Sequence, residues 1–327
     1  MNRLRTLLIS LWFAITIHSI VGATELEEVC EENHTKEGTC RTLIRAPPQI
    51  LNRGSISAIE PAKFENMDFF SYDPLLDGDE SSISIVKPTI TNVTGGDSIS
   101  LQYIQDLITS EIATNLIESC NKRSGWTSSP QSVGGSATVK ATRTSRSCPL
   151  IWPQLYLPLL NDPSKASRLA SVKDEIDLTW HLTQRFATLL GIEEEYIEPF
   201  QLVRYQPGEF YKEHHDHGSY YGASTEQRPL TLLVFLSDVP SSSEIDGGGY
   251  TKFRMLDEDN GGVAVVPRRG DGVLWKNVDD NDELLMDAVH EAIPPKSGGE
   301  VIKYAMNVWV AKTKIKENMD VSAYRTN

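Results

Sequence analysis

The spacing of apolar residues divides the chain into a polar N-terminal part, a helical part and a β-rich part. From residue 24 to about residue 100 the apolar runs are short and Ser, Thr, Pro and Asp are frequent, so we expect an extension with one or two strands (SISIV is the best candidate) and much loop. The segment LQYIQDLITSEIATNLIESCNKR has apolar residues at helical spacing, which predicts a helix with Ser110 as its N-cap. EIDLTWHLTQRFATLLGI predicts a second helix that ends at Gly191.

After Gly191 the apolar residues fall into short β-rich runs separated by Gly, Asp, Pro and Ser. These runs are PFQLVRY, PLTLLVFLSDV, YTKFRML, GVAVVP, GVLWKNV and EVIKYAMNVWV. Short strands at this spacing are typical of an antiparallel sandwich or jelly roll. We therefore predict helices followed by a β-sandwich.

The first 23 residues have the features of a secretory signal. A basic start, MNRLR, precedes the apolar run LLISLWFAITIHSIV, and small residues at Val21 and Ala23 surround a candidate cleavage point. The run is shorter than the ~20 residues that span a bilayer comfortably, so we interpret it as a cleaved signal, with a retained signal anchor as the alternative. We expect a protein of the endoplasmic reticulum or Golgi lumen, membrane-anchored if the segment is retained, or a secreted protein.

Sequons, cysteines and net charge fit this route. N-glycosylation tripeptides begin at Asn33 and Asn92. The even number of cysteines suits an oxidising lumen, and we predict the pairs Cys30–Cys40 and Cys120–Cys148, although a buried thiol on a helix is the alternative for Cys120. A net charge of −14 argues against a nucleic-acid partner.

The segment EFYKEHHDHGSYY holds three of the seven histidines around one aspartate. In a strand, His214 and Asp216 would share one face while His215 and His217 share the other. A His-x-His pair with another nitrogen ligand would suit zinc or copper, whereas a His-x-Asp pair with a remote histidine is the facial triad of non-haem Fe(II) oxygenases. His290 is the only histidine after the cluster, so a triad completed by a later strand must use it.

These motifs resemble the prolyl 4-hydroxylase α-subunit-like family of 2-oxoglutarate/Fe(II) dioxygenases. QLVRYQPGEFYKEHHD is similar to the family's pattern Tyr-x-x-Gly-x-x-Tyr-x-x-His-x-Asp. RPLTLLVFLSDV, GGYTKF, RRGDGVLWKN and HEAIPPKSGGEVIKYAMNVW resemble later family segments and occur in the same order, and ATRTSRS also has a counterpart. The resemblance covers roughly residues 101–312 and leaves residues 24–100 outside.

The resemblance implies an α+β fold, with a double-stranded β-helix (jelly roll) core and the preceding helices packed on one sheet. It divides the chain into a signal segment (1–23), a polar extension (24–100), a dioxygenase domain (101–312) and a tail (313–327). It also implies that the catalytic iron ligands are His214, Asp216 and His290. His215 and His217 are then not ligands: they are exposed, pack on the outer face, or contact substrate at the cavity rim.

The same resemblance assigns the cofactors and the residues around them. Fe(II), 2-oxoglutarate, O₂ and ascorbate are the expected cofactors and cosubstrates. 2-Oxoglutarate chelates iron through its keto acid end, so its distal carboxylate needs a buried cation. Lys303 matches that position, on a strand face that it shares with Val301, Ala305, Asn307 and Trp309. Lys303 lies a few positions further from His290 than is usual in the family, with the extra residues in the turn KSGGE, so Lys296 is the alternative. By position, Tyr205 and Thr251 also bind the cosubstrate, and Arg228 and Tyr211 bind the substrate.

The implied function is hydroxylation of a C–H bond with formation of succinate and CO₂. We expect peptidyl-proline 4-hydroxylation of a proline-rich or collagen-like partner in the secretory pathway. The same chemistry on a lysyl residue, a free amino acid or a small molecule is the first alternative. A non-catalytic jelly-roll binding module is the second.

Overall fold

The computed structural model describes residues 101–129, 142–160, 162–218, 228–239, 248–256 and 262–315, together with the backbone of four strands nearer the N-terminus. The signal segment, the candidate strand SISIV and the sequon at Asn33 lie outside the described residues. In the part of the chain that is described, no helix is both long and apolar enough to cross a membrane.

Four α-helices lie in the described ranges: α1 (Ser110–Lys122), α2 (Pro153–Leu160), α3 (Pro163–Leu169) and α4 (Lys173–Leu190). The prediction that Ser110 caps α1 is wrong by one residue. Thr109 has an extended backbone and accepts a hydrogen bond from the Ile112 N–H, so it is the N-cap and Ser110 is already helical. The predicted end of α4 is confirmed: Gly191 adopts the left-handed conformation, with φ of 67°.

The strands of the described part are short, as the apolar runs predict. They are β1 (Leu26–Glu31), β2 (Thr39–Ile44), β3 (Gln49–Leu51), β4 (Thr89–Asn92), β5 (Gln102–Gln105), β6 (Thr127–Ser128), β7 (Arg146–Pro149), β8 (Gln201–Tyr205), β9 (Tyr211–His214), β10 (Leu230–Phe235), β11 (Thr251–Phe253), β12 (Val263–Val265), β13 (Gly272–Lys276), β14 (His290–Ala292) and β15 (Lys303–Val310).

The strands form two large sheets and one separate hairpin. The larger sheet has the order β4-β5-β13-β10-β15-β8-β7-β6, the smaller one has the order β3-β12-β11-β14-β9, and β1 pairs with β2 alone. Every neighbouring pair is antiparallel except β3 and β12. The predicted mixture of helices and antiparallel sheet is therefore confirmed.

The core has two apolar layers, one on each face of the larger sheet. One layer joins the two sheets and includes Phe253 of the smaller sheet and Trp275 of the larger one, whose rings meet edge to face. The other layer joins the larger sheet to the helices and includes Leu116, Phe186 and Met306. The helices thus pack on one face of one sheet, as expected, and the smaller sheet covers the opposite face.

The extension contributes strands to both sheets. Its β3 pairs with β12 and its β4 with β5, so four strands are found where one or two were expected. The Cys120–Cys148 disulfide is confirmed and joins α1 to β7. The register of β1 and β2 places Cys30 opposite Cys40, and because only the backbone is described there, that disulfide stays a prediction. The division into domains also stays a prediction.

Candidate metal and cosubstrate site

Three side chains from two neighbouring strands and the loop after one of them meet at one point. His290 on β14 lies opposite His214 at the end of β9, and Asp216 follows β9 by two residues. The Nε2 atoms of His214 and His290 each lie 3.8 Å from a carboxylate oxygen of Asp216. One ligand atom from each of the three residues lies within 4.8 Å of the others, as one metal ion requires.

Both histidines are held by the backbone in the tautomer that metal binding needs. Nδ1 of His214 lies 2.7 Å from the Lys212 carbonyl oxygen, and Nδ1 of His290 lies 2.9 Å from that of Ala288. Because a carbonyl can only accept, each Nδ1 carries the hydrogen and donates it. Each Nε2 therefore presents its lone pair to the space beside Asp216.

Asp216 is fixed by a chain of hydrogen bonds across the larger sheet. The Thr231 hydroxyl and the Trp309 indole N–H both donate to Oδ2 of Asp216, each at 3.1 Å. Thr231 in turn accepts a hydrogen bond from the Asn277 amide at 2.8 Å, and the Asn277 oxygen accepts one from the Trp275 indole at 2.9 Å. Such outer partners orient a metal-binding carboxylate. The sequence predicted none of them in this role, and Trp309 was expected only to share a strand face with Lys303.

The charges of this cluster suit a divalent metal. Burial acts to raise the pKa of Asp216, but the neighbouring His290, His214 and Arg228 outweigh it and hold the pKa at about 2. Burial, with His290 beside it, lowers the pKa of His214 to about 3. At neutral pH, Asp216 is ionised and His214 is neutral, which are the forms that coordinate metals.

A stack of side chains supports His214 from outside. The Tyr211 ring lies parallel to the His214 ring at 3.5 Å between centroids, and the Arg143 guanidinium lies 4.4 Å from the centre of the Tyr211 ring. Arg143 is buried and lines the same cavity as the triad. Sequence reasoning noted its segment, ATRTSRS, but did not single out Arg143, because only the bridge between Arg143 and Tyr211 brings it to the site.

Lys303 lies at the other end of the site, opposite Tyr205 across β15 and β8. It is 1% exposed, and its ammonium donates to the Thr251 hydroxyl at 3.0 Å and to the Tyr250 carbonyl at 3.2 Å. Burial lowers the pKa of Lys303 to about 7. Within the described ranges no carboxylate pairs with this lysine, so a bound anion would supply its missing countercharge.

The triad and the lysine open into one cavity of about 370 Å³. Every residue that the motifs indicated lines it: His214, Asp216, His290, Lys303, Tyr205, Thr251, Arg228 and Tyr211. Ala305, Asn307 and Trp309 line it too, which confirms the shared strand face for these residues. The prediction is wrong for Val301, which precedes β15 and does not line the cavity. Lys296, the alternative cosubstrate residue, is exposed in a turn and does not line the cavity.

Arg228 lies at the cavity wall as part of a buried ion pair. Its guanidinium donates two hydrogen bonds to the Glu198 carboxylate, at 2.8 and 2.7 Å, and stacks 3.9 Å from the centre of the Trp309 ring. The pair holds Arg228 in a fixed orientation. Substrate binding by Arg228 and by Tyr211 stays a prediction.

The prediction that His215 and His217 point away from His214 and Asp216 is wrong, since both line the same cavity. The alternation of side chains holds only within a strand, and β9 ends at His214. Residues 215–217 are not in a strand, so their side chains need not alternate between two faces. The expectation that His215 and His217 lie outside the triad stands. Of the three places considered for them, both histidines line the cavity, and His217 is also exposed.

Comparison with known proteins places this site in a family. Residues 200–311 match the family model described as the 2OG-Fe(II) oxygenase superfamily, and this segment contains all three members of the triad and Lys303. The match covers about a third of the 327 residues. The family resemblance drawn from the motifs is thereby confirmed, as is the use of Fe(II) and 2-oxoglutarate, whereas ascorbate stays a prediction.

Among the relatives of this chain are plant and animal proteins. Prolyl 4-hydroxylase 13 of Arabidopsis thaliana is 28% identical over 42% of the chain and 52% of that protein. Prolyl 4-hydroxylase subunit alpha-3 of Rattus norvegicus is 29% identical over 45% of the chain and 26% of that protein. The chain thus spans about half or less of the length of these curated relatives.

Solved structures similar to this chain include two prolyl hydroxylases. The viral collagen prolyl hydroxylase of Paramecium Bursaria Chlorella virus-1, in its 2OG complex, has a TM-score of 0.42 and 21% identity over 65% of this chain and 96% of that one. The prolyl hydroxylase of Trichoplax adhaerens, in complex with a hypoxia inducible factor peptide fragment, has a TM-score of 0.44 and 15% identity over 69% of this chain and 87% of that one.

Proposed function

We propose that this protein is a 2-oxoglutarate- and Fe(II)-dependent peptidyl-proline 4-hydroxylase of the secretory pathway. The observation that carries the proposal is the meeting of a His-Asp-His triad and a buried lysine in one cavity. The triad alone would suit several metals and chemistries. A buried cation in the same cavity adds a site for the distal carboxylate of a dicarboxylate cosubstrate.

The residues present fit both groups. The triad provides two imidazole nitrogens and one carboxylate oxygen, a donor set that leaves other coordination positions open. Lys303, Thr251 and Tyr205 would hold the far carboxylate of 2-oxoglutarate, through the ammonium and two hydroxyl groups. When bound, iron with 2-oxoglutarate and O₂ supplies the oxidation of a C–H bond and releases succinate and CO₂. Ascorbate is the expected auxiliary reductant.

The order of the strands supports the finer description of the fold as a double-stranded β-helix. From β8 to β15 the chain passes repeatedly between the larger and the smaller sheet, and only β11 and β12 follow each other within one sheet. This winding brings β9 and β14 together as neighbours, although 76 residues separate His214 from His290. A jelly roll made in this way would place the triad at the mouth of the cavity.

A peptide substrate and a secretory location complete the proposal. The relatives that match over 39–45% of the chain are named prolyl 4-hydroxylases, which supports a prolyl substrate. The Cys120–Cys148 disulfide supports an oxidising compartment, as do the N-terminal apolar run and the sequons. The expected partner is therefore a proline-rich segment of a secreted protein.

The experiment is a turnover assay on the purified protein with Fe(II), 2-oxoglutarate, ascorbate and a panel of proline-rich peptides. We expect succinate formation that depends on the peptide, and a mass gain of one oxygen atom on a proline. His214→Ala and Asp216→Ala should each abolish turnover and iron binding. His215→Ala is the matched control: it changes the adjacent histidine and should leave iron binding largely intact.

Three results would contradict parts of the proposal. Succinate formation stimulated only by a lysyl peptide, a free amino acid or a small molecule would keep the chemistry and exclude the prolyl substrate. A folded protein that forms no Fe(II)-dependent succinate with any substrate would be a binding module. Loss of iron from His215→Ala would show that the ligand set is wrong.

A further inference from the structure

His215 lines the cavity without any hydrogen bond of its own. Among the described residues, neither ring nitrogen has a hydrogen-bond partner; both Nδ1 and Nε2 are buried, while the residue as a whole is half-buried. Its ring meets that of His217, edge to face, with 5.6 Å between centroids. In contrast, the rings of His214 and His290 on either side of the metal position each donate to a backbone carbonyl.

Buried polar atoms without partners are costly, so a native protein retains them where a ligand completes them. The metal and the cosubstrate are already bound by other residues of the cavity. Metal binding takes His214, Asp216 and His290, and the cosubstrate carboxylate has Lys303 and Thr251. The substrate is the third molecule that the cavity would hold, so its polar atoms are the ones available to form hydrogen bonds with the ring nitrogens of His215.

A neutral imidazole offers one donor and one acceptor, and a peptide backbone offers the same pair at each residue other than proline. We propose that His215 is a substrate-binding residue, which hydrogen-bonds a main-chain N–H or C=O beside the target residue of a bound peptide. This inference rests on the proposed function, and it assigns to His215 part of the protein's specificity for a peptide substrate. His217 also lines the cavity and is exposed.

Direct peptide binding tests the inference separately from turnover. Isothermal titration calorimetry of a short proline-rich peptide would be run anaerobically on the full chain loaded with Fe(II) and 2-oxoglutarate. His215→Phe keeps an aromatic ring and removes both nitrogens, so we expect a rise of about tenfold in Kd. His215→Asn restores a donor and an acceptor and should recover part of this loss. His181→Phe, on α4, is the matched control and should leave Kd unchanged, since His181 bonds to the Asp177 carbonyl in its own helix.

A second arm changes the peptide in place of the protein. Replacing one amide at a time beside the target proline by an ester removes an N–H and weakens a C=O acceptor. We expect one such ester to weaken binding to the unaltered protein and to cause no further loss with His215→Phe, because both changes remove the same hydrogen bond.

The outcomes separate this inference from the proposed function. Weaker peptide binding by His215→Phe with unchanged iron content supports the inference even if no proline is hydroxylated, in which case only the proposed reaction fails. Equal Kd values for His215→Phe and the unaltered protein would overturn it. Loss of iron from His215→Phe, or absence of peptide binding to the unaltered protein, would overturn it as well.

Discussion

At the scale of single residues, the most unusual feature is a buried lysine, Lys303, which folding alone would not favour. Lys303 is among the largest fully buried side chains of the described part, and its ammonium meets a hydroxyl, a carbonyl and the face of the Tyr205 ring there, with no carboxylate beside it. Moving such a group out of water without a countercharge is unfavourable. The lowered pKa of Lys303 is the consequence, and binding of an anion would reverse it.

This predicts that the affinity for 2-oxoglutarate falls as the pH rises. With a pKa of about 7, Lys303 of the free protein is protonated below that pH and largely neutral above it. Because the anion binds the ammonium form, binding raises the pKa and takes up a proton in the range above pH 7. The Kd should therefore be nearly constant below pH 7 and rise by up to about tenfold per pH unit above it. Anaerobic calorimetry with saturating Fe(II) measures this dependence.

Lys303→Met is the control for that titration. It should bind 2-oxoglutarate weakly at every pH and lack the rise above pH 7, because the titrating group is gone. An equally steep dependence in Lys303→Met would assign the effect to another group and remove Lys303 from the cosubstrate site.

Residue identities could be predicted from the sequence where a motif names both the residue and its spacing. His214, Asp216, His290 and Lys303 are of this kind, and the structure brings all four into one cavity. Thr231, Asn277 and Arg143 could not be found in this way. Each reaches the site through pairing of strands that are distant along the chain, and a threonine, an asparagine or an arginine in a strand carries no signal of that kind by itself.

At the scale of elements, the alternation of side chains along a strand predicts which face a residue lies on only as far as the strand extends. The alternation rule correctly places four residues of β15 on the cavity face, because that strand runs unbroken for eight residues. It fails for His215 and His217, which lie beyond the end of β9 and line the same cavity as His214 and Asp216. The bounds of short strands depend on their partners, and a single sequence does not contain that information.

The element with the clearest covalent support is α1, which the Cys120–Cys148 disulfide ties to β7. The bridge spans 28 positions. Closing a loop of that length lowers the conformational entropy of the unfolded chain and so raises its free energy by about 3 to 4 kcal/mol. We expect replacement of both cysteines by alanine to lower the free energy of unfolding by roughly that amount, as measured by urea denaturation. Affinity for Fe(II) should not change, since α1 packs on the face of the larger sheet that is covered by helices.

The unaltered protein under reducing conditions is the comparison for that variant. It should unfold at the same urea concentration as the double alanine variant measured under the same reducing conditions, which would also open a Cys30–Cys40 bridge. If reduction has no effect on the midpoint, the two cysteines are not joined in solution. If the alanine variant loses Fe(II) affinity, α1 supports the site more directly than the packing indicates.

At the scale of the whole molecule, the polar extension is part of the folded structure, because it contributes a strand to each of the two large sheets. Its β3 forms the outer strand of the smaller sheet beside β12, and its β4 forms the outer strand of the larger sheet beside β5. The sequence suggested a loop-rich segment outside the family resemblance, because short polar strands resemble loops until they find a partner. Both sheets that surround the cavity therefore end on strands from outside residues 101–312.

This arrangement predicts that the extension protects the domain from aggregation. A fragment of residues 101–327 would expose the free N–H and C=O groups of β12 and β5, and such edges pair with other molecules. We expect it to self-associate in light scattering and size-exclusion measurements at concentrations where the chain from residue 24 is monomeric. Deletion of residues 24–48 is the matched control, because it removes the separate β1–β2 hairpin and keeps β3 and β4.

If the control self-associates as strongly as the fragment, the hairpin is the protecting element. If the fragment stays monomeric and equally stable, β3 and β4 contribute nothing to the sheets, and the domain boundary near residue 101 marks an independent folding unit.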